Sequence, residues 1–160
     1  MRLLLFILIA SGLVAYFYLE VQDVRRRALE YEDVCRLISA IRRGIAGGRE
    51  LCDLIGGAEV LSEGGKRLKK AIEKSRYENG WREGVSFCGI GLDEEDMRRL
   101  CVYFSDFGKG TDGAELRGAA ELQEHFCKKE KQIAASAEST VRSGAVMLAA
   151  AVLGLLILIY

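Results

Sequence analysis

Residues 3–19 read LLLFILIASGLVAYFYL and residues 144–160 read GAVMLAAAVLGLLILIY, each 17 positions long with no ionisable group. A helix needs roughly 17–25 apolar residues to cross the hydrocarbon core of a bilayer, so either end is just long enough. Everything between them is charged. All 23 acidic residues, all five cysteines and every basic residue except Arg2 lie in residues 20–143. The expected layout is an N-terminal transmembrane helix over 1–19, a helical bundle over 20–143 and a C-terminal transmembrane helix over 144–160. Two spans place both termini on one face of the membrane and the middle on the other.

Basic flanks decide which face. Arg25, Arg26 and Arg27 follow the first apolar run, and Lys128, Lys129, Lys131 and Arg142 precede the second; the outer tips carry only Arg2. Lys and Arg near span ends resist translocation, so the middle is expected in the cytoplasm. A cleaved signal peptide is the rival reading, with Leu3 to Ala10 as its apolar core and Ala10 and Gly12 as the small residues of the cut. Cleavage there would strand Leu13 to Leu19 at a new terminus, and the arginines lie on the wrong side for export. The retained span is the better reading. Cys35, Cys52, Cys88, Cys101 and Cys127 are odd in number, widely spaced and form no Cys-x-x-Cys pair. They are expected to be small buried hydrophobes in a reducing compartment rather than a disulfide framework or zinc ligands.

The middle is predicted to be all-α. Proline is absent from all 160 positions, and alternating β-branched runs are missing. Val24, Ala28, Tyr31, Cys35, Ile38, Ile41 and Ile45 advance by threes and fours, one stripe on one helix. No breaker separates this stripe from the first apolar run, so a single helix is expected to continue until Gly44 or the Gly47-Gly48 pair. Arg49 to Ile55 could form two turns, Lys66 to Glu78 a helix with Leu68, Ala71 and Ile72 on one side, and Trp81 to Cys88 a short helical piece. Asp93 is placed to cap a helix whose buried stripe is Met97, Leu100, Cys101, Phe104 and Phe107, while Glu94, Glu95 and Asp96 favour its positive dipole end. Gly108-Lys109-Gly110-Thr111 turns the chain. Asp112 with Glu115 then resembles a capping box, and no strong breaker follows before the C-terminus. The first and last helices are expected to pack antiparallel, with the shorter ones closing the bundle.

Reactive groups are sparse. His125 is the only histidine, and its neighbours Gln123, Glu124, Lys128 and Lys129 suggest a solvated helix residue. The Asp93–Asp96 run lacks a liganding loop for a divalent ion. Gly64-Gly65-Lys66-Arg67 and Gly108-Lys109-Gly110-Thr111 lack the spacing and strand context of a phosphate loop, and both read as helix punctuation. Residues 20–143 carry 22 basic and 23 acidic side chains, a balance that argues against nucleic acid as a partner. No cofactor, metal or small-molecule substrate is expected, and no enzyme. Lys66, Arg67, Lys69, Lys70, Lys74 and Arg76 give one segment a basic face, read either as a solvated surface or as a docking face for an acidic partner or anionic lipid headgroups. Small residues four apart, at Ala145 and Ala149, Ala150 and Gly154, and Ser11 and Ala15, permit close helix approach within the spans.

The layout resembles the stage III sporulation protein AB family of endospore-forming bacteria over essentially the whole chain. The likeness is carried by LCVYFSDFGKG at residues 100–110, by Glu115-Leu116 opening a long polar helix, and by the terminal apolar run; a second match is the first span, its arginine cluster and the region from Ile41 to Gly44. The family's frequent proline after that region is lacking here. The resemblance implies a non-enzymatic membrane component of the complex joining mother cell and forespore. Its body would be similar to type II secretion and type IV pilus platform proteins, and its partner would be the secretion-type ATPase, stage III sporulation protein AA. From the residues themselves, Phe104, Phe107, Gly108, Gly110 and Glu115 are read as the corner between the two strongest helices, with φ > 0 at Gly110 if it behaves as helix-end glycines often do. A holin-like two-span protein, a generic membrane-anchored helical scaffold and a membrane-anchored enzyme are the competing classes.

Overall fold

The structure, a computed structural model, describes residues 2–47, 55–78, 90–107 and 109–159. Among these residues the chain is all-α: α1 spans Arg2–Ala46, α2 Glu63–Glu78, α3 Glu94–Asp106 and α4 Asp112–Ile159. The expected pieces over Arg49 to Ile55 and Trp81 to Cys88 fall almost wholly outside the described residues. Helix α1 ends where the glycines begin, with the Gly47 amide donating to the Gly44 carbonyl at 3.0 Å. Two compact units are present. One comprises residues 1–25 and 132–160, the other residues 26–131.

In the first unit α1 and α4 pack antiparallel. The half-buried apolar positions of α1 over residues 7–25 are Ala10, Phe17, Val21 and Val24, and those of α4 include Ala137, Val141, Gly144, Leu148 and Ala151. Steps of three, four and seven make a coiled-coil-like seam. Phe17 lies directly on Gly144, where any Cβ would overlap its ring. The expected small-residue pairs are not at this seam. Ser11, Ala15, Ala145, Ala149 and Ala150 are exposed, and a Cβ at Gly154 would meet nothing within 4 Å. The reason is register: the seam follows Phe17, and the one residue that must be small beneath it is Gly144. Within the described residues α1 is the only helix long and apolar enough to cross a membrane. The C-terminal end of α4, expected as a second span, does not qualify on those residues.

In the second unit α1 is the central element. Tyr31, Val34, Leu37, Ile38 and Ile41 are 0–1% exposed, so the helix is buried over more than the single stripe read from the sequence. Leu68 and Ile72 of α2, Leu100 and Phe104 of α3, and Ala119 and Phe126 of α4 complete the core. Tyr31 and Phe126 meet with ring centroids 6.1 Å apart. Further along, the Gln123 side-chain amide donates to Ser39 Oγ at 2.9 Å and accepts from Arg42 Nη1 at 3.0 Å.

Three sequence expectations need correction here. Helix α2 starts at Glu63, three residues earlier than predicted, because Ser62 caps it: Ser62 Oγ accepts from the Gly65 amide at 2.9 Å and its carbonyl accepts from Lys66 N at 3.0 Å. Gly64 and Gly65 are therefore inside the first turn rather than punctuation before it. At the start of α4 the Thr111 carbonyl accepts from Ala114 N and Glu115 N. Thr111 thus occupies the cap position, and since Ala114 rather than Glu115 falls three residues on, the expected Asp112–Glu115 spacing does not make a capping box. Finally, Cys35 and Cys127 are joined in a disulfide, with Cα atoms 5.8 Å apart. Sequence spacing concealed this pair because 92 residues separate two positions that helix packing brings together.

Candidate functional site: buried carboxylates and the α3–α4 corner

Polar chemistry in the second unit converges on three carboxylates, Glu30, Asp33 and Asp96, each at most 2% exposed. Burying a charge is costly unless hydrogen bonds satisfy it. Asp33 Oδ1 accepts from Leu61 N at 2.8 Å and Oδ2 from Ser62 N at 2.6 Å. One turn earlier on α1, Glu30 Oε2 accepts from Gly91 N at 2.5 Å. Two acids three residues apart on α1 thus hold two separate backbone segments.

The glycines make this possible. A Cβ at Gly64 would lie 2.5 Å from Glu30 Oε1, one at Gly65 2.5 Å from Asp33 Oδ2, and one at Gly91 2.6 Å from Glu30 Oε2. Amides and a positive dipole at a helix start form an anion site, and here the chain's own carboxylates occupy it. What resembled a phosphate-binding glycine run is a docking point for α1.

Asp96 ties α3 to both long helices. Tyr31 Oη donates to its Oδ2 at 2.7 Å, His125 Nε2 lies 2.6 Å from Oδ1, and Lys129 Nζ lies 3.3 Å from Oδ2. Lys129 also donates to Asp93 Oδ2 at 2.8 Å, and the Asp93 amide donates to Tyr31 Oη at 3.1 Å. Burial works against ionisation of Asp96, but hydrogen bonds from His125, Tyr31 and Lys129 outweigh it and hold the carboxyl below its ordinary range. Burial, with the nearby acids, raises the Tyr31 phenol well above its usual value. The hydrogen bond to Asp93, aided by Asp96, raises the Lys129 ammonium.

This cluster corrects two readings. His125 is 28% exposed and bonded to Asp96, not solvated; Glu124 and Lys128 are exposed, while Lys129, one turn on, shares the contact with Asp96. Asp93 occupies the cap position of α3 but makes no side-chain cap bond, because its carboxylate is turned to Lys129. A histidine oriented by a carboxylate is half of a nucleophile-activating arrangement. Here the carboxylate is shared by a phenol and an ammonium, and the result is a clamp on α1, α3 and α4. Among the described residues no group of three His, Cys, Asp or Glu side chains is placed to hold a metal.

At the corner, Phe104 is fully buried while Phe107, the last residue before the turn, is half-buried in extended conformation. Gly108 lies outside the described residues. Gly110 is exposed and its φ is not in the left-handed region; a Cβ there would meet Ala114 Cβ at an ordinary 3.7 Å. The expected φ > 0 is not observed. Glu115 lies in the first turn of α4 beside Tyr103. Tyr103, which the sequence reading passed over, packs edge-on against Phe104 and Phe107 at 5.4 and 5.8 Å. Its hydroxyl is buried without a hydrogen-bond partner among the described residues, and burial followed by the charge of Glu115 raises its phenol. Gly118 faces this ring, and a Cβ there would meet its nearest carbon at an ordinary 3.5 Å.

The six basic residues of α2 do not form one uniform face. Lys69 Nζ donates to the carbonyls of Gly56 and Ala58 at 2.8 and 3.1 Å, fastening the preceding turn. Lys66 pairs with Glu63 at 2.6 Å and stays exposed. Arg67, Lys70 and Lys74 are exposed and share a face, and the side chain of Arg76 lies outside the described residues.

Comparison with known protein families, with characterised proteins and with solved structures finds no match to this chain.

Proposed function

We propose that this chain is a non-enzymatic, membrane-tethered helical platform, with residues 20–143 forming a cytoplasmic body held by a span at each end. The observation that carries the reading is the outer surface of the first unit. Leu8, Tyr16 and Leu19 of α1 are 66–72% exposed, and Val146, Met147 and Ile157 of α4 are 66–78% exposed. Apolar surface on that scale, on both helices of a pair, calls for a covering phase, and lipid fits two roughly 17-residue runs. The body offers a contrasting surface. Its three buried acids and its histidine are committed to internal clamps, and the exposed Lys66, Arg67, Lys70 and Lys74 form the docking face.

The resemblance to the stage III sporulation protein AB family supports a more specific role, that of a platform in the mother-cell membrane around the forespore that engages a secretion-type ATPase. Cytoplasmic placement draws on the arginine and lysine flanks. Fractionation of cells expressing the full chain tests the reading. Alkaline carbonate should leave it in the membrane, and protease added outside intact cells should spare residues 26–131. Release by carbonate, or cleavage of that body from outside, would overturn it. Co-purification with the ATPase, lost on Lys66→Glu, Lys70→Glu and Lys74→Glu together, tests the partner.

A further inference from the structure

The Cys35–Cys127 pair serves none of the roles so far assigned, and its surroundings define a chemistry. Its two helices are registered by contacts that do not depend on the bond. One turn before Cys35, Tyr31 packs on Phe126; one turn after it, Ser39 accepts from Gln123, itself one turn before Cys127. With Cα atoms 5.8 Å apart, within the range a disulfide needs, the two sulfurs remain neighbours whether bonded or not. Cys35 opens onto a groove of about 820 Å³ whose walls include Arg36, Arg43, Glu59 and Glu130. Cys127 is partly exposed; Cys35 and Cys101 are both buried, 8% and 7% exposed, and differ in that Cys35 lines this groove and Cys101 does not.

We propose that Cys35–Cys127 is a reversible redox-modification site that exchanges with a small charged thiol of the glutathione class. The groove is large enough for a tripeptide, and its walls carry both signs of charge, matching a ligand with carboxylates and an ammonium. A thiolate in the groove attacks Cys35 Sγ, the disulfide breaks, and Cys127 leaves as a thiolate that takes up a proton. A second small thiolate then attacks the small-molecule sulfur of the mixed disulfide. Cys35 is released and protonated, and one small-molecule disulfide forms. Two electrons pass from the two small thiols to the protein pair, and the oxidised small molecule runs the sequence in reverse. Disulfides in a reducing compartment are commonly of this transient, sensing kind. The proposal concerns a different surface from the docking face; it rests on the cytoplasmic placement of the body and not on the platform role.

The test uses the purified full chain in detergent, equilibrated with reduced or oxidised glutathione, acid-quenched, alkylated and mapped by mass spectrometry. Five alkylated thiols are expected after reduced glutathione, the number in the chain. After oxidised glutathione, the peptides bearing Cys35 and Cys127 should lose alkylation together. In the Cys127→Ser variant, oxidised glutathione should leave an adduct on Cys35 and none on buried Cys101. A pair opened by a phosphine but untouched by excess reduced glutathione would be a fixed clasp and would overturn the proposal. So would independent alkylation of both cysteines after oxidised glutathione, or an adduct on Cys101 in place of Cys35. Should Cys127→Ser fail to fold by circular dichroism, the mapping on the unsubstituted chain decides.

Discussion

At the scale of single residues, Asp96 carries the most. Asp96→Ala removes the acceptor for Tyr31, His125 and Lys129 at once and leaves the buried Tyr31 hydroxyl with no carboxylate to take its proton, although it still accepts from the Asp93 amide. Losses of this kind cost about 2–4 kcal/mol, to be read as a lower denaturant midpoint. The pH dependence follows from the depressed carboxyl. A group whose folded value lies below its unfolded one stabilises above the unfolded value, and the benefit disappears as pH falls through the folded value. Stability should therefore hold near neutrality and decline on the acid side of the ordinary carboxylate range; Asp96→Asn should flatten that decline. Glycines give a matched comparison. Gly65→Ala forces a methyl to within 2.5 Å of Asp33 Oδ2 and should destabilise by roughly 1–3 kcal/mol. Gly113→Ala, with nothing within 4 Å of its Cβ, should be neutral or stabilise by up to about 1 kcal/mol, as helix propensity directs.

Among elements, the helices were largely readable and their anchoring was not. Helices α3 and α4 begin within a residue of the predicted caps because acidic first turns and a Thr-Asp start act locally. The start of α2 was missed because two consecutive glycines weaken a helix when only propensity is considered, and here a partner's carboxylates require them. Glu30 and Asp33 are not singled out by the sequence pattern. Their signal is positional: with Leu37, Ile41 and Gly44 they continue a buried arc at helical spacing, an unusual setting for an acid. Asp96 and His125 lacked even that cue, each sitting in a run of charged residues that face water. On α4, Gly144→Leu should wedge Phe17 away and raise the rate of proteolysis in detergent. Phe17→Ala in the same chain should recover part of that loss, an outcome generic helix destabilisation would not give. Lys69→Ala should cost about 1 kcal/mol through its two carbonyl contacts, whereas Lys70→Ala should leave stability unchanged.

For the molecule as a whole, the place of α1 in the second unit governs when the body can form. Tyr31, Val34, Leu37, Ile38 and Ile41 come early in the chain, and the core that buries them includes Ile55, Leu68, Ile72, Leu100, Phe104 and Phe126. During synthesis, then, the first helix emerges with its greasiest side unsheltered, and shelter is complete only after Phe126 has left the ribosome. Until that moment the nascent chain is a target for chaperones and for its neighbours on the polysome. Slowing translation between residues 42 and 126 should lengthen this vulnerable interval and raise aggregation in step with the delay.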